Sequence, residues 1–96
     1  MIKIMKIITG EEVIGEITDL KDDKLKVEQP CAIAILPAQS TMEQHRMGLI
    51  PYAGYTKNHE LVIDKRSIVW EAEPAEELYN NYNKIFGSGI QLIKKS

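Results

Sequence analysis

The sequence predicts a mostly β fold: one small, strongly bent barrel followed by a C-terminal α-helix. Three observations lead there. Two runs rich in β-branched residues, MIKIMKII (1–8) and VIGEITDL (13–20), flank the turn TGEE (9–12), with a lone glycine, Gly15, inside the second run. A long alternating segment follows. The end of the chain then changes from a two-residue to a helical period.

The first pair of runs reads as a hairpin. A single glycine within a strand marks a bulge, a tight bend or the close approach of another backbone, so Gly15 points to a strand bent around a barrel. The polar turn LKDDK (20–24) opens the third strand, where Leu25, Val27, Cys31, Ile33 and Ile35 alternate onto one expected face, with Lys24, Lys26 and Glu28 on the other. Pro30 cannot donate to a ladder, which predicts an edge position or a bulge midway. Residues 37–47, PAQSTMEQHRM, have no sustained period and read as a long hairpin tip. Three short strands then follow in GLIPYA (48–53), ELVID (60–64) and IVWEA (68–72), the last two joined by a tight turn at DKRS (64–67).

In EPAEE (73–77), proline stands at a first helical position with carboxylates in the first turn, favourable to the helix dipole. Leu78, Tyr82, Ile85 and Phe86 fall on one stripe and Gly87 is placed to stop the helix, giving about three turns. Residues 90–96 read as a short added strand or a tail. The chain is one domain of 96 residues, barrel at about 1–73 and helix with tail at about 74–96. A domain of this size buries about 60 to 65% of its unfolded surface, enough to need no disulfide or metal.

Composition excludes several function classes. Net charge is −2 with a pI near 5.7, so the chain does not coat nucleic acid by overall charge, and any such site is local. No run approaches the ~18 apolar residues of a membrane span. Cys31 is the single cysteine, which rules out an internal disulfide and makes a reducing cytoplasm the expected setting.

The stretch GEEVIGEI (10–17) has the glycine spacing of a phosphate-binding P-loop. Glu16 and Ile17, however, occupy the places of the required lysine and hydroxyl, and three carboxylates would face an anion. His45 and His59 have no partners at zinc-ligand spacing, Cys31 reads as a small core residue, and Trp70 shares an expected face with Ile68 and Ala72. Glu71, Glu73, Glu76 and Glu77 are explained by a solvated face and the helix dipole. No enzyme, metal or cofactor is expected.

Apolar residues stand on both faces of several strands: Ile7 with Ile8, Val13 with Ile14, Leu61 with Val62 and Ile63, and Ile68 with Val69. A small antiparallel domain normally keeps one face wet, so this pattern predicts a homo-oligomer that pairs its edge strands with copies of itself.

The order of elements resembles the Sm-like (LSm) proteins. GEEVIGEI (10–17), with Leu20 and LKV (25–27), corresponds to the first Sm motif, and LVIDKRSI (61–68) to the second. The resemblance covers roughly residues 1–73, and the same apolar spacing also suits other SH3-like barrels. It implies a five-stranded, strongly bent barrel, closed rings through edge-strand pairing, and single-stranded RNA bound at a pore lined by two turns. Here those turns depart from the family pattern. DLKDDK (19–24) is shorter and lacks asparagine, and Asp64 and Lys65 stand where Arg-Gly is usual. The helix lies at the end of the chain rather than the start; so divergent and compact a version resembles the Sm-like proteins found in bacterial viruses.

A reduced RNA site at such a pore is expected to use Lys21, Lys24, Lys65 and Arg66 in the two turns, multiplied by ring formation, with Tyr55 or Tyr52 as a stacking partner. Asp19, Asp22, Asp23 and Asp64 oppose those cations. The alternative is a structural or adaptor homo-oligomer that engages a protein and no nucleic acid.

Overall fold

The structure, a computed structural model, describes residues 1–36 and 46–86. It contains strands β1 (Ile2–Ile7), β2 (Glu12–Asp19), β3 (Lys24–Leu36), β4 (Arg46–Pro51), β5 (Glu60–Asp64) and β6 (Ile68–Ala72), and one helix, α1 (Glu76–Phe86). Single 3₁₀ turns at Lys57–His59 and Lys65–Ser67 flank β5. Most of the expected hairpin tip, 37–45, lies outside the described residues, as do Gly87 and the expected strand or tail at 90–96.

All pairings are antiparallel, in the order β4-β3-β2-β1-β6, with β5 also on β3. The six runs read from the residues each form a strand. The family resemblance implied five, and the count differs because β4 and β5 are separate strands that share β3: Cys31–Leu36 pairs with β4 and Lys24–Glu28 with β5. Among the described residues no ladder joins β5 to β6, so the hydrogen-bonded path is open there.

The β1–β2 turn is closed by Ile7 N–H donating to Glu11 O at 2.9 Å and Gly10 N–H to Ile7 O at 2.7 Å. Gly10 takes φ +105°, which side-chain-bearing residues rarely adopt. Farther along β2, Ile14 pairs with Cys31 and Glu16 with Glu28, leaving Gly15 opposite two residues, Gln29 and Pro30. This is a bulge in β3, with Gln29 at φ +52° and Pro30 needing no ladder partner. A Cβ on Gly15 would lie 2.8 Å from Val27 Cγ1 and 3.2 Å from Glu28 O. Glycine is required by close approach at the bend.

The extra residue reverses the alternation of β3 and corrects the single face expected for it. Leu25 and Val27 pack with Met5, Ile17, Ile63 and Ile68, so β1, β2, β3, β5 and β6 all contribute to one apolar cluster. Cys31 and Ile33 turn to the other face and join Ile14, Ile2, Ile4 and Leu49 beneath α1. The helix supplies Leu78 and Tyr82, both buried, with half-buried Phe86 at their end; Ile85 of the expected stripe stays exposed. The first bond of α1 runs from Tyr79 N–H to Ala75 O at 2.9 Å, so Pro74 stands just before the helix and not at its first position.

Part of the second apolar face is therefore covered by the chain's own helix. Ile8, Val62 and Val69 remain exposed.

Candidate functional site

The two turns singled out in the sequence meet at one corner. In the β2–β3 turn, Asp22 and Asp23 take left-handed φ values of 62° and 59°, which aspartate tolerates, and Leu20 N–H donates to Lys24 O at 2.9 Å. The β5–β6 turn is capped by Asp64, whose Oδ1 accepts from Arg66 N–H at 2.8 Å while Ser67 Oγ donates to Asp64 O at 2.6 Å. Lys65 N–H then donates to Asp23 O at 2.8 Å, and Ile8 N–H donates to Ser67 O at 2.7 Å. One three-residue turn is thus bonded to the turns at both ends of β2, which requires the sheet to curl back on itself.

Five of the charged side chains at this corner are paired. Arg66 Nη2 lies 2.8 Å from Asp64 Oδ2 and Arg66 Nε 3.1 Å from Asp64 Oδ1, a fork-to-fork contact; Lys24 Nζ approaches the same carboxylate at 3.3 Å. Lys65 Nζ pairs with Asp19 Oδ1 at 3.1 Å. The Arg66 guanidinium, then the Arg66 backbone N–H, and to a lesser extent Lys24 hold the Asp64 carboxyl well below the usual carboxylate range against an opposing effect of burial. The Asp64 side-chain bond in turn raises Arg66.

Lys24, Lys65 and Arg66 are thereby brought together. Lys21 projects from the β2–β3 turn, exposed, with no carboxylate partner among the described residues. Tyr55 is not part of this group. It is 92% exposed in the stretch preceding β5. Four residue steps of that strand, roughly 13 Å at ~3.3 Å each, separate its start from Asp64.

The other candidates have structural surroundings. The His59 ring nitrogen Nε2 lies 3.0 Å from Tyr52 O, and its ring packs near Phe86 with centroids 6.0 Å apart. Cys31 is buried and its thiol is pushed up to about 11 by that burial, the opposite of an activated nucleophile. Among the described residues, no three His, Cys, Asp or Glu side chains are grouped so as to hold a metal ion. No helix of the described residues is long and apolar enough to cross a membrane.

Two of the clefts differ in what they could hold. An opening of about 600 Å³ between the start of β1 and the start of α1 is lined by Glu16, Glu73 and Glu76 with Met1, Ile2, Pro74 and Tyr79, and its carboxylates disfavour a polyanion. A second, of about 350 Å³, adjoins the paired cations and is lined by Asp19, Leu25, Lys65, Ile68, Trp70 and Glu71. Sequence reasoning assigned Trp70 to the core or an interface because strict alternation put it on the Ile68 face. In the structure Ile7 pairs with Ile68 and Lys6 with Trp70, a register shift that leaves Val69 over and breaks that alternation. Trp70 is 41% exposed. The usable signal was a lone tryptophan on a strand next to the charged turn.

Compared with known proteins, the chain matches no family model and no curated sequence.

Proposed function

We propose that the chain is a ring-forming, Sm-like protein that binds single-stranded RNA at the corner where its two turns meet. The observation that carries this reading is the bond from Lys65 N–H to Asp23 O, which fixes the two turns side by side as a pore-lining pair requires. The cluster built from β1, β2, β3, β5 and β6 supports a small, bent five-stranded barrel with β4 as an added strand, and the corner turn spans its unladdered seam.

Edge strands support the ring. β4 and β6 are the ends of the hydrogen-bonded path, β5 is paired on one side only, and Val62 and Val69 are exposed on these strands. Pairing with a neighbouring copy satisfies the free backbone groups and covers the valines. Each added subunit brings another Lys21, Lys24, Lys65 and Arg66 to the centre, and phosphates compete with Asp64 and Asp19 for the last three. The setting proposed is the cytoplasm.

A second reading, a structural or adaptor homo-oligomer without nucleic acid, is favoured by one observation: Lys24, Lys65 and Arg66 each already have a carboxylate partner. The double substitution Lys65→Glu with Arg66→Glu separates the two. Loss of oligonucleotide binding with an unchanged oligomer supports the RNA reading. Binding equal to wild type overturns the assignment of this corner.

A further inference from the structure

The cleft beside the corner has walls of three kinds. Leu25 and Ile68 are apolar, Trp70 is aromatic, and Asp19, Lys65 and Glu71 are charged. Its charges are balanced within the fold: Lys65 holds Asp19 at 3.1 Å and Lys3 holds Glu71 at 3.0 Å, the latter contact raising the Lys3 ammonium. A guanidinium or a free phosphate entering here would have to break an ion pair without meeting a net opposite charge. A neutral, planar ring with hydrogen-bonding edges meets what the walls offer, a π-face, carboxylate acceptors and an ammonium donor. The volume, about 350 Å³, accommodates one such ring, and Lys24 and Arg66 stand at the adjoining corner.

We propose that this cleft is a nucleobase subsite, in which Trp70 stacks on one base of a single-stranded nucleic acid and the Lys65–Asp19 pair meets the base edge. The inference rests on the RNA reading above and adds to it the aromatic partner that Tyr55, which does not line this cleft, does not supply here. Base–aromatic stacking is tolerant of sequence, since every base has a π-face, so the subsite confers affinity with little base preference.

Trp70 is the chain's single tryptophan, so indole emission reports on this cleft alone. The full-length protein is titrated at low salt with a mixed-sequence single-stranded RNA ten-mer, following anisotropy of the labelled strand and, with unlabelled strand, indole emission. Inorganic polyphosphate serves as a base-free polyanion, and an arginine-rich peptide as the protein-like competitor. The proposal expects RNA to raise anisotropy and quench Trp70, and polyphosphate and peptide to leave the emission unchanged. Trp70→Leu should weaken RNA binding by on the order of tenfold, with Trp70→Phe retaining most of it.

Rising anisotropy with unchanged emission, or RNA binding by folded Trp70→Leu at wild-type strength, removes the subsite and leaves the corner cations as the RNA site. Quenching by polyphosphate or by the peptide also overturns it. No anisotropy change at any ratio overturns the RNA reading and the subsite together. If Trp70→Leu does not fold, the wild-type emission with RNA against polyphosphate decides.

Discussion

The hydroxyl of Tyr82, on α1, donates to the carbonyl oxygen of Gln29 at 2.9 Å, with Glu28 O sharing the proton at 3.3 Å. Gln29 is the left-handed residue of the β3 bulge, so the helix is fastened at the point where the sheet bends. Tyr82 is buried and its ring packs on Phe86 with centroids 5.0 Å apart. The bond therefore links the position of α1 to the bend that divides β3 between two cores.

Tyr82→Phe keeps the ring and removes the donor. It should lower unfolding free energy by about 1 kcal/mol, since two part-buried carbonyls lose their partner. Chemical denaturation measures this. An unchanged midpoint would mean the helix is held by apolar contact alone.

Gly15→Ala places a methyl group 2.8 Å from Val27 Cγ1 and 3.2 Å from the Glu28 carbonyl oxygen. Overpacking of this kind costs about 1 to 3 kcal/mol. Adding Val27→Ala frees the side-chain contact but not the carbonyl, so the double variant should be more stable than the two single losses added together. Simple additivity in the cycle would show that the methyl is not meeting Val27.

Asp64 contributes stability that is present above the ordinary carboxylate range and lost as pH falls through its depressed folded value, because the unfolded chain takes up the proton first. Asp64→Asn should therefore be less stable than wild type at neutral pH, with the gap closing below about pH 4. The same substitution leaves Arg66 and Lys24 without their carboxylate. RNA affinity at low salt should rise and its salt dependence steepen. Parallel acid profiles for the two proteins would contradict the assigned ion pairs.

Cys31, pushed up to about 11, and Tyr82, also raised, are held neutral first of all by burial. Here the unfolded chain loses its protons at lower pH than the folded one, so stability is complete below the unfolded values and declines as pH rises toward the folded values. Urea midpoints should fall from about pH 9 upward, with about 2 to 3 kcal/mol traceable to Cys31 and a further decline above about pH 10 from Tyr82. Cys31→Ala should flatten the first part of that decline. A level profile between pH 8 and 11 would place both groups in contact with water.

Much of the fold was legible because local chemistry and tertiary position agree. The turn at Gly10, the close approach of another backbone at Gly15 and the tight turn after Asp64 stand where their residue types predicted, and the helix begins two residues after Pro74 rather than at it. The two faces of β3 were not legible. Leu25, Val27, Cys31 and Ile33 are separated by even numbers of residues, as one face of an unbroken strand would be, so the pattern does not register the bulge that sends them to different cores. The covering of one apolar face by α1 was likewise hidden, since an amphipathic stripe states that something is covered but not what. At the candidate site, the sequence placed Lys24, Lys65 and Arg66 in the right turns. It set Asp19 and Asp64 among the carboxylates opposing them without saying which meets which, and it did not bring Trp70 to the neighbouring cleft, because the Lys24–Asp64 and Lys65–Asp19 pairs and the cleft depend on the corner joining distant turns.

Native mass spectrometry of untagged, gently purified protein reads subunit number and retained nucleic acid in one spectrum. The expected result is a closed ring of a single defined size carrying added oligonucleotide mass. A ring free of nucleic acid would transfer the function to the adaptor reading, and a monomer at micromolar concentration would contradict the ring and the RNA-binding pore alike.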